Sequence, residues 1–322
     1  METNDLQAQT NESYQLEFKG DGKEFFGILL VNWILTILTL GFYYPWARAK
    51  QLQYIYSHTT LNNESFSFLG TGAEIFKGFI KLIGIYLMVM IAFFLFVRFA
   101  EAPILGAVLL YLVIFAFIPF IIHGSFRYRM SRTSFRGIRF GYRGDRKELT
   151  VQFFKDLLFT ILTLGIYSSW LAMNLRTYTH RHIRFGDVEF SNEASGSEYF
   201  LLNFKGNILT FITLGIYSFW WQKDIFNYYI DNMKLRKGDQ KVIFLSTATG
   251  VDFLKLLVSN FFLLVFTLGI GAAWVEMRTL RFMFSHIKMM GNINLNAVSQ
   301  TEAEYNDAFG DDAVDLFNID LI

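Results

Sequence analysis

The chain has 322 residues, 53% of them apolar and only 18% charged, with 37 Phe and a mean hydropathy of +0.31. That balance excludes an ordinary soluble composition. A net charge of +1 gives no global reason to expect nucleic acid, and the lack of cysteine excludes disulfides, thiolate metal sites and cysteine nucleophiles.

Residues 1–13 form a polar, acidic tail with no basic stretch before an early apolar core, so no cleavable signal peptide is expected. Apolar runs of about the 20 residues needed to span a bilayer follow at roughly 25–47, 76–98, 103–123, 151–173, 199–221 and 253–275. Residues 103–122 carry no charge at all. The expected class is therefore mainly α, a polytopic membrane protein with about six apolar helices.

Four of these runs end in Thr-Leu-Gly-x-x-x-x-Trp: Thr39, Gly41 and Trp46; Thr163, Gly165 and Trp170; Thr213, Gly215 and Trp220; Thr267, Gly269 and Trp274. A motif recurring in one register marks internal repetition. Tyr54, Tyr178, Tyr228 and Phe282 follow the Trp at one spacing, and His58, His182, Asn232 and His286 at another. A fifth copy lacks Thr-Leu-Gly but aligns Phe120 with Trp46 and Arg132 with His58.

Alternating stretches such as Phe66-Ser-Phe68, Ile138-Arg-Phe140, Val188-Glu-Phe190 and Val242-Ile-Phe244 predict strands. Asn62-Asn63, Gly186-Asp187, Gly238-Asp239 and Gly291-Asn292 stand where hairpin turns are expected. An acid then opens each apolar run (Glu24, Glu74, Glu148, Glu198, Asp252), where it complements the positive end of a helix. The predicted unit is strand, acid, helix A, break, helix B and hairpin. Five units fill 14–300 (about 14–64, 65–136, 137–186, 187–238 and 239–300), with small β-hairpins between them and an acidic tail over 301–322.

Glycine weakens a helix interior, and a preceding Thr can bond back to a carbonyl and bend the chain. The following Trp suits either an interfacial aromatic belt or close helix packing. Two topologies remain open. Residues 76–123 hold two full spans, so that unit returns to the side it left. If the others do likewise, their halves are short re-entrant hairpins, and all strands share one side and can join a common sheet. Six simple crossings with both termini outside is the alternative. The basic residues after each helix B favour the shared side, and exporting the most basic loop is disfavoured.

Among polar candidates, Asn32, Asp156, Asn207 and Asn260 lie within helix A and line an intramembrane path or bond neighbouring helices. Arg127, Arg129, Arg132, Arg136, Arg139 and Arg143 are a candidate contact for anionic lipid, or serve topology alone. Histidines scattered once per repeat read more simply as polar helix-end contacts than as metal ligands. No nucleotide loop, catalytic elbow or zinc motif occurs, so neither catalytic residues nor a cofactor is expected.

The pattern Thr39-Leu-Gly41-Phe-Tyr43-Tyr-Pro45-Trp46-Ala-Arg48, with Tyr54, His58-Thr59 and Phe66-Ser-Phe68-Leu-Gly70, resembles the YjgN-like family of bacterial inner-membrane proteins from about residue 14 to 300. The fourth copy departs from it, with Gly271 in place of Tyr, and only the first has Pro before its Trp. The resemblance implies a bacterial inner-membrane location and supplies no catalytic residues, because the family is a domain of unknown function. The expected role is a non-catalytic scaffold or accessory subunit of an envelope complex. Its contacts would be membrane lipids and a protein partner or second copy, without nucleic acid. A transporter or channel for a small or lipidic solute is the alternative.

Overall fold

The computed structural model describes residues 12–100 and 103–302. Its helices come in five antiparallel pairs: α1 (Gly22–Leu38) with α2 (Tyr44–Ser57), α3 (Gly72–Ala100) with α4 (Pro103–Arg132), α5 (Arg146–Leu162) with α6 (Ser168–Arg181), α7 (Gly196–Ile212) with α8 (Ser218–Asp231), and α9 (Gly250–Phe266) with α10 (Ala272–Ser285). The starts are written locally. Asp21 accepts the Lys23 and Glu24 N–H groups, Asp145 accepts that of Glu148, and Thr249 with Asp252 forms a reciprocal capping box.

Between the helix pairs run β1 (Glu12–Tyr14), β2 (Leu16–Phe18), β3 (Thr59–Leu61), β4 (Glu64–Phe68), β5 (Thr133–Phe135), β6 (Ile138–Tyr142), β7 (Ile183–Phe185), β8 (Val188–Asn192), β9 (Met233–Lys237), β10 (Gln240–Ser246) and β11 (Ile287–Gly291). They join one antiparallel sheet in the order β1-β11-β10-β9-β8-β7-β6-β5-β4-β3-β2. β1 and β2 are two halves of one extended stretch interrupted at Gln15, with β1 on β11 and β2 on β3. The two ends of the sheet therefore meet, and it closes as a barrel that leaves no free edge for aggregation.

Register fixes what lies at each rim. Phe18 faces Thr59, Phe68 faces Thr133, Tyr142 faces Ile183, Asn192 faces Met233 and Ser246 faces Ile287, all beside helices. Leu61 faces Glu64, Phe135 faces Ile138, Phe185 faces Val188 and Lys237 faces Gln240, all beside tight turns. All five helical hairpins thus leave one rim, and all turns lie on the other. Asn62 and Asn63 (φ 51° and 66°) supply the left-handed pair of a type I′ turn.

Alternate strand residues fill the barrel. Phe66, Phe135, Phe140, Phe185 and Phe190 pack in a chain of tilted ring contacts with centroids 4.7–6.2 Å apart. Leu61, Val188, Val242 and Met289 pack with them. The segment after β11 closes the turn rim: Ile293 and Val298 are buried in that core, and the Tyr14 hydroxyl donates to the Ile293 carbonyl at 2.6 Å.

The hairpins also close into a ring. The second helix of each packs on the first helix of the next, and α10 packs on α1. Four of the five joints are a Trp against a glycine. Trp46 lies on Gly72, Trp170 on Gly196, Trp220 on Gly250 and Trp274 on Gly22, where an added Cβ would stand 2.3–2.4 Å from indole Cδ1. At the α4–α5 joint the pair is Phe120 and Arg146, with the guanidinium 5.9 Å from the ring centroid.

This corrects the sequence-based fold. Instead of about six apolar helices with small β-hairpins between five units, there are ten α-helices among the described residues and one eleven-stranded sheet. Two helical stretches are long and apolar enough to cross a membrane, 72–99 and 103–132. The runs at 25–47, 151–173, 199–221 and 253–275 are each a helix, a turn and the start of a second helix, and hydropathy is blind to a turn as apolar as its arms. Gly291-Asn292 makes no hairpin, because the partner of β11 is the N-terminal strand.

Candidate functional site

The four short hairpins end in Thr-Leu-Gly tips of one geometry. Leu40, Leu164, Leu214 and Leu268 have φ of 49–50°, and Gly41, Gly165, Gly215 and Gly269 have φ of 88–96°. Nothing lies within 4 Å of a Cβ added at these glycines, so backbone conformation, not space, selects Gly. A left-handed Leu costs about 1–2 kcal/mol. The leucines are nevertheless 90%, 95%, 94% and 92% exposed, which in water offsets nothing. Moving a Leu side chain out of water gains about 1.5–3 kcal/mol. In an apolar surrounding that gain would offset the strain.

Backbone bonding at the tips points the same way. The N–H groups of Thr39, Leu40, Gly41, Phe42 and Tyr44 bond Leu35, Ile37, Thr36, Thr39 and Gly41 carbonyls at 2.7–3.1 Å. Tyr43 N–H bonds Thr39 Oγ1 at 2.9 Å, and that hydroxyl donates to the Leu35 carbonyl at 2.7 Å. The other tips repeat this set from Thr163, Thr213 and Thr267. Gly271 joins in as well as Tyr does, because it contributes only its N–H. A turn with every N–H satisfied internally is what a water-free surrounding demands.

The polar residues of the first helices bond within their own hairpins. Asn32 Nδ2 donates to the Ala47 carbonyl at 3.3 Å, Asn174 Nδ2 to Asp156 Oδ2 at 2.9 Å, and Asn260 Nδ2 to Thr279 Oγ1 at 3.2 Å. Asn207 is exposed and donates to the Asn203 carbonyl on its own helix at 2.9 Å. Each of the first three clamps one helix to its partner.

At the hairpin bases, Tyr54, Tyr178 and Tyr228 hydroxyls accept the N–H of Asp21, Asp145 and Ser195 at 2.9, 2.9 and 2.6 Å and reach Glu24, Glu148 and Glu198. Burial raises all three phenols, Tyr178 and Tyr228 to about 12. Nδ1 of His58, His182 and His286 lies 2.7–2.8 Å from the carbonyl four residues earlier, and Asn232 Nδ2 donates to Tyr228 in the same way. These side chains cap helix ends, and no metal-binding cluster occurs among the described residues. His182→Asn is expected to leave stability within about 0.5 kcal/mol of wild type, whereas His182→Ala loses about 1 kcal/mol with the bond. Thermal melts in detergent check both.

The basic segment is dispersed. Arg132 forms a bidentate pair with Glu74 at the helix rim, at 3.0 and 3.1 Å. Arg136, at the turn rim, holds Glu64 and Asn296. Arg143 pairs with Glu302 at 2.7 Å, and the Arg139 N–H bonds Gln300. Arg127 and Arg139 border a small cleft beside Glu302; Arg129 lies near the end of α4. The other tail acids, Asp307, Asp311, Asp312, Asp315 and Asp320, lie outside the described residues.

Sequence reasoning missed Arg176. It is buried on α6 with its guanidinium 3.9 Å from the Tyr229 ring centroid, and Tyr229 donates to Tyr199 at 2.9 Å. Its partners come from the next hairpin, so no local pattern marks it.

A family model described as "Bacterial protein of unknown function (DUF898)" matches residues 13–196 and 220–316. The chain is 36% identical over 140 residues to "Inner membrane protein YjgN" of Salmonella typhimurium, covering 44% of this chain and 34% of that protein. It is 32% identical over 150 residues to the protein of the same name from Escherichia coli K12, covering 46% and 36%. The match thus spans about a third of the length of these curated relatives. No solved structure matches.

Proposed function

The chain belongs to the DUF898 family of bacterial proteins, and from that premise we propose an inner-membrane scaffold in which one hairpin spans the bilayer and four re-enter it. The tips carry this reading: exposed left-handed leucines on a turn whose N–H groups are all bonded internally. α1 has 17 residues and reaches about 25 Å, short of a roughly 30 Å hydrocarbon core, whereas α3 and α4 have 29 and 30 and reach about 44 Å. The curated relatives are named inner membrane proteins, and the basic helix ends favour a cytoplasmic barrel. The five-unit repeat over 14–300 belongs to the same reading. With a barrel packed by phenylalanine and stoppered by Ile293 and Val298, the shape suits holding and docking. The dispersed arginines suit topology better than one lipid-binding face.

Cysteines introduced at Leu164 and Leu214 are expected to resist water-soluble maleimide from either side of the membrane. One at the exposed Ser65 should label only once the cytoplasmic side is opened. Ready labelling of the tips in intact membranes refutes re-entry. A conduit for a small solute is the second reading, carried by the buried Asn32 and Asn260, whose amide oxygens find no partner among the described residues. Solute flux into proteoliposomes, lost in the Asn32→Leu, Asn260→Leu double variant, would favour it over the scaffold.

A further inference from the structure

We propose that the protein senses and promotes membrane curvature, with the leaflet facing the barrel on the convex side. The inference rests on the re-entrant reading. All five hairpins leave one rim of a closed sheet, so they enter the bilayer from one side. α3 and α4 continue through both leaflets, while the other eight helices, of 14 or 17 residues, stop short after about 21–25 Å. These eight pass the midplane of a roughly 30 Å core but end before its far surface, so the near surface accommodates ten helices and the far surface two. At a backbone-plus-side-chain diameter of about 10 Å, eight unmatched helices add on the order of 600 Å² to one leaflet.

A flexible crown would shed that imbalance by folding its hairpins together. This one is braced. The Trp–Gly joints and the Phe120–Arg146 joint lock each hairpin to the next, and α10 on α1 completes the ring. The area mismatch is thus held as a wedge, and a wedge is accommodated at least cost where the crowded leaflet is already expanded. Interfacial helices sense curvature by the same route. The partner is the bilayer itself, and the chemistry is apolar insertion by Leu40, Leu164, Leu214 and Leu268.

The test uses full-length protein carrying a fluorophore at Ser65→Cys, reconstituted into giant vesicles from which narrow tubes are pulled. An impermeant quencher reports whether the barrel lies outside or inside. With the barrel outside, the tube-to-vesicle density ratio is expected to rise about threefold or more; with the barrel inside, it should fall below one. A second label, at Leu214→Cys, is read against acyl-chain quenchers. If it is quenched but neither orientation sorts, the curvature proposal is overturned and membrane re-entry stands. If it is not quenched, both are overturned.

Discussion

Replacing Leu40, Leu164, Leu214 and Leu268 together by aspartate is expected to leave the protein in the membrane fraction, held by α3 and α4, while the four short hairpins are expelled. An aspartate at hydrocarbon depth costs about 2.5–3.5 kcal/mol, so four cost about 10–14 kcal/mol. That equals the whole stability of a typical domain. Limited proteolysis of membranes should then cut within the tips, whereas wild type is expected to resist. Leu214→Gly separates the explanations. It removes about 1–2 kcal/mol of left-handed strain, so it stabilises the protein if the tip faces water. In lipid it also forfeits the insertion of a Leu side chain, about 1.5–3 kcal/mol, and the net effect is destabilising.

Gly196→Leu should break the ring at the α6–α7 joint. A Cβ there would lie 2.4 Å from Trp170 Cδ1 and 2.7 Å from its Cα, and the second contact cannot be relieved by moving a side chain. Overpacking costs about 1–3 kcal/mol where neighbours can yield, so a loss of about 3 kcal/mol or more is expected in detergent melts. The α4–α5 joint supplies a control. Gly196→Arg combined with Trp170→Phe copies the native Phe120–Arg146 pair and should melt closer to wild type than Gly196→Arg alone. If both melt alike, the glycine is not a packing site.

Much of the local structure was legible in the residues. Glu24, Glu148 and Asp252 mark helix starts because a carboxylate in the first turn complements the positive end of the helix. Asn62-Asn63 marks a turn because two successive residues must adopt positive φ. The helix-capping role of the histidines was readable from Asn232, which shares with imidazole an N–H placed to reach the same carbonyl. By contrast, Trp46 looks alike whether it meets lipid or a neighbour, and Gly72, its contact, opens a different hairpin. Arg176 gave no signal, since the rings that enclose it belong to α7 and α8.

The misreading of six helices has one physical source. A turn as apolar as the helices it joins gives a helix–turn–helix run the composition of one span, so hydropathy does not divide it. Sequence alone determined the membrane character, the Thr-Leu-Gly breaks and the alternating strands, all of which depend on neighbours within one or two helical turns. Tertiary structure decided that the strands form a single barrel closed by the N-terminal strand, and that five hairpins share one rim. Those outcomes depend on pairing between residues as distant as Tyr14 and Met289, where hydrogen-bond register and ring closure, not local preference, choose the partner.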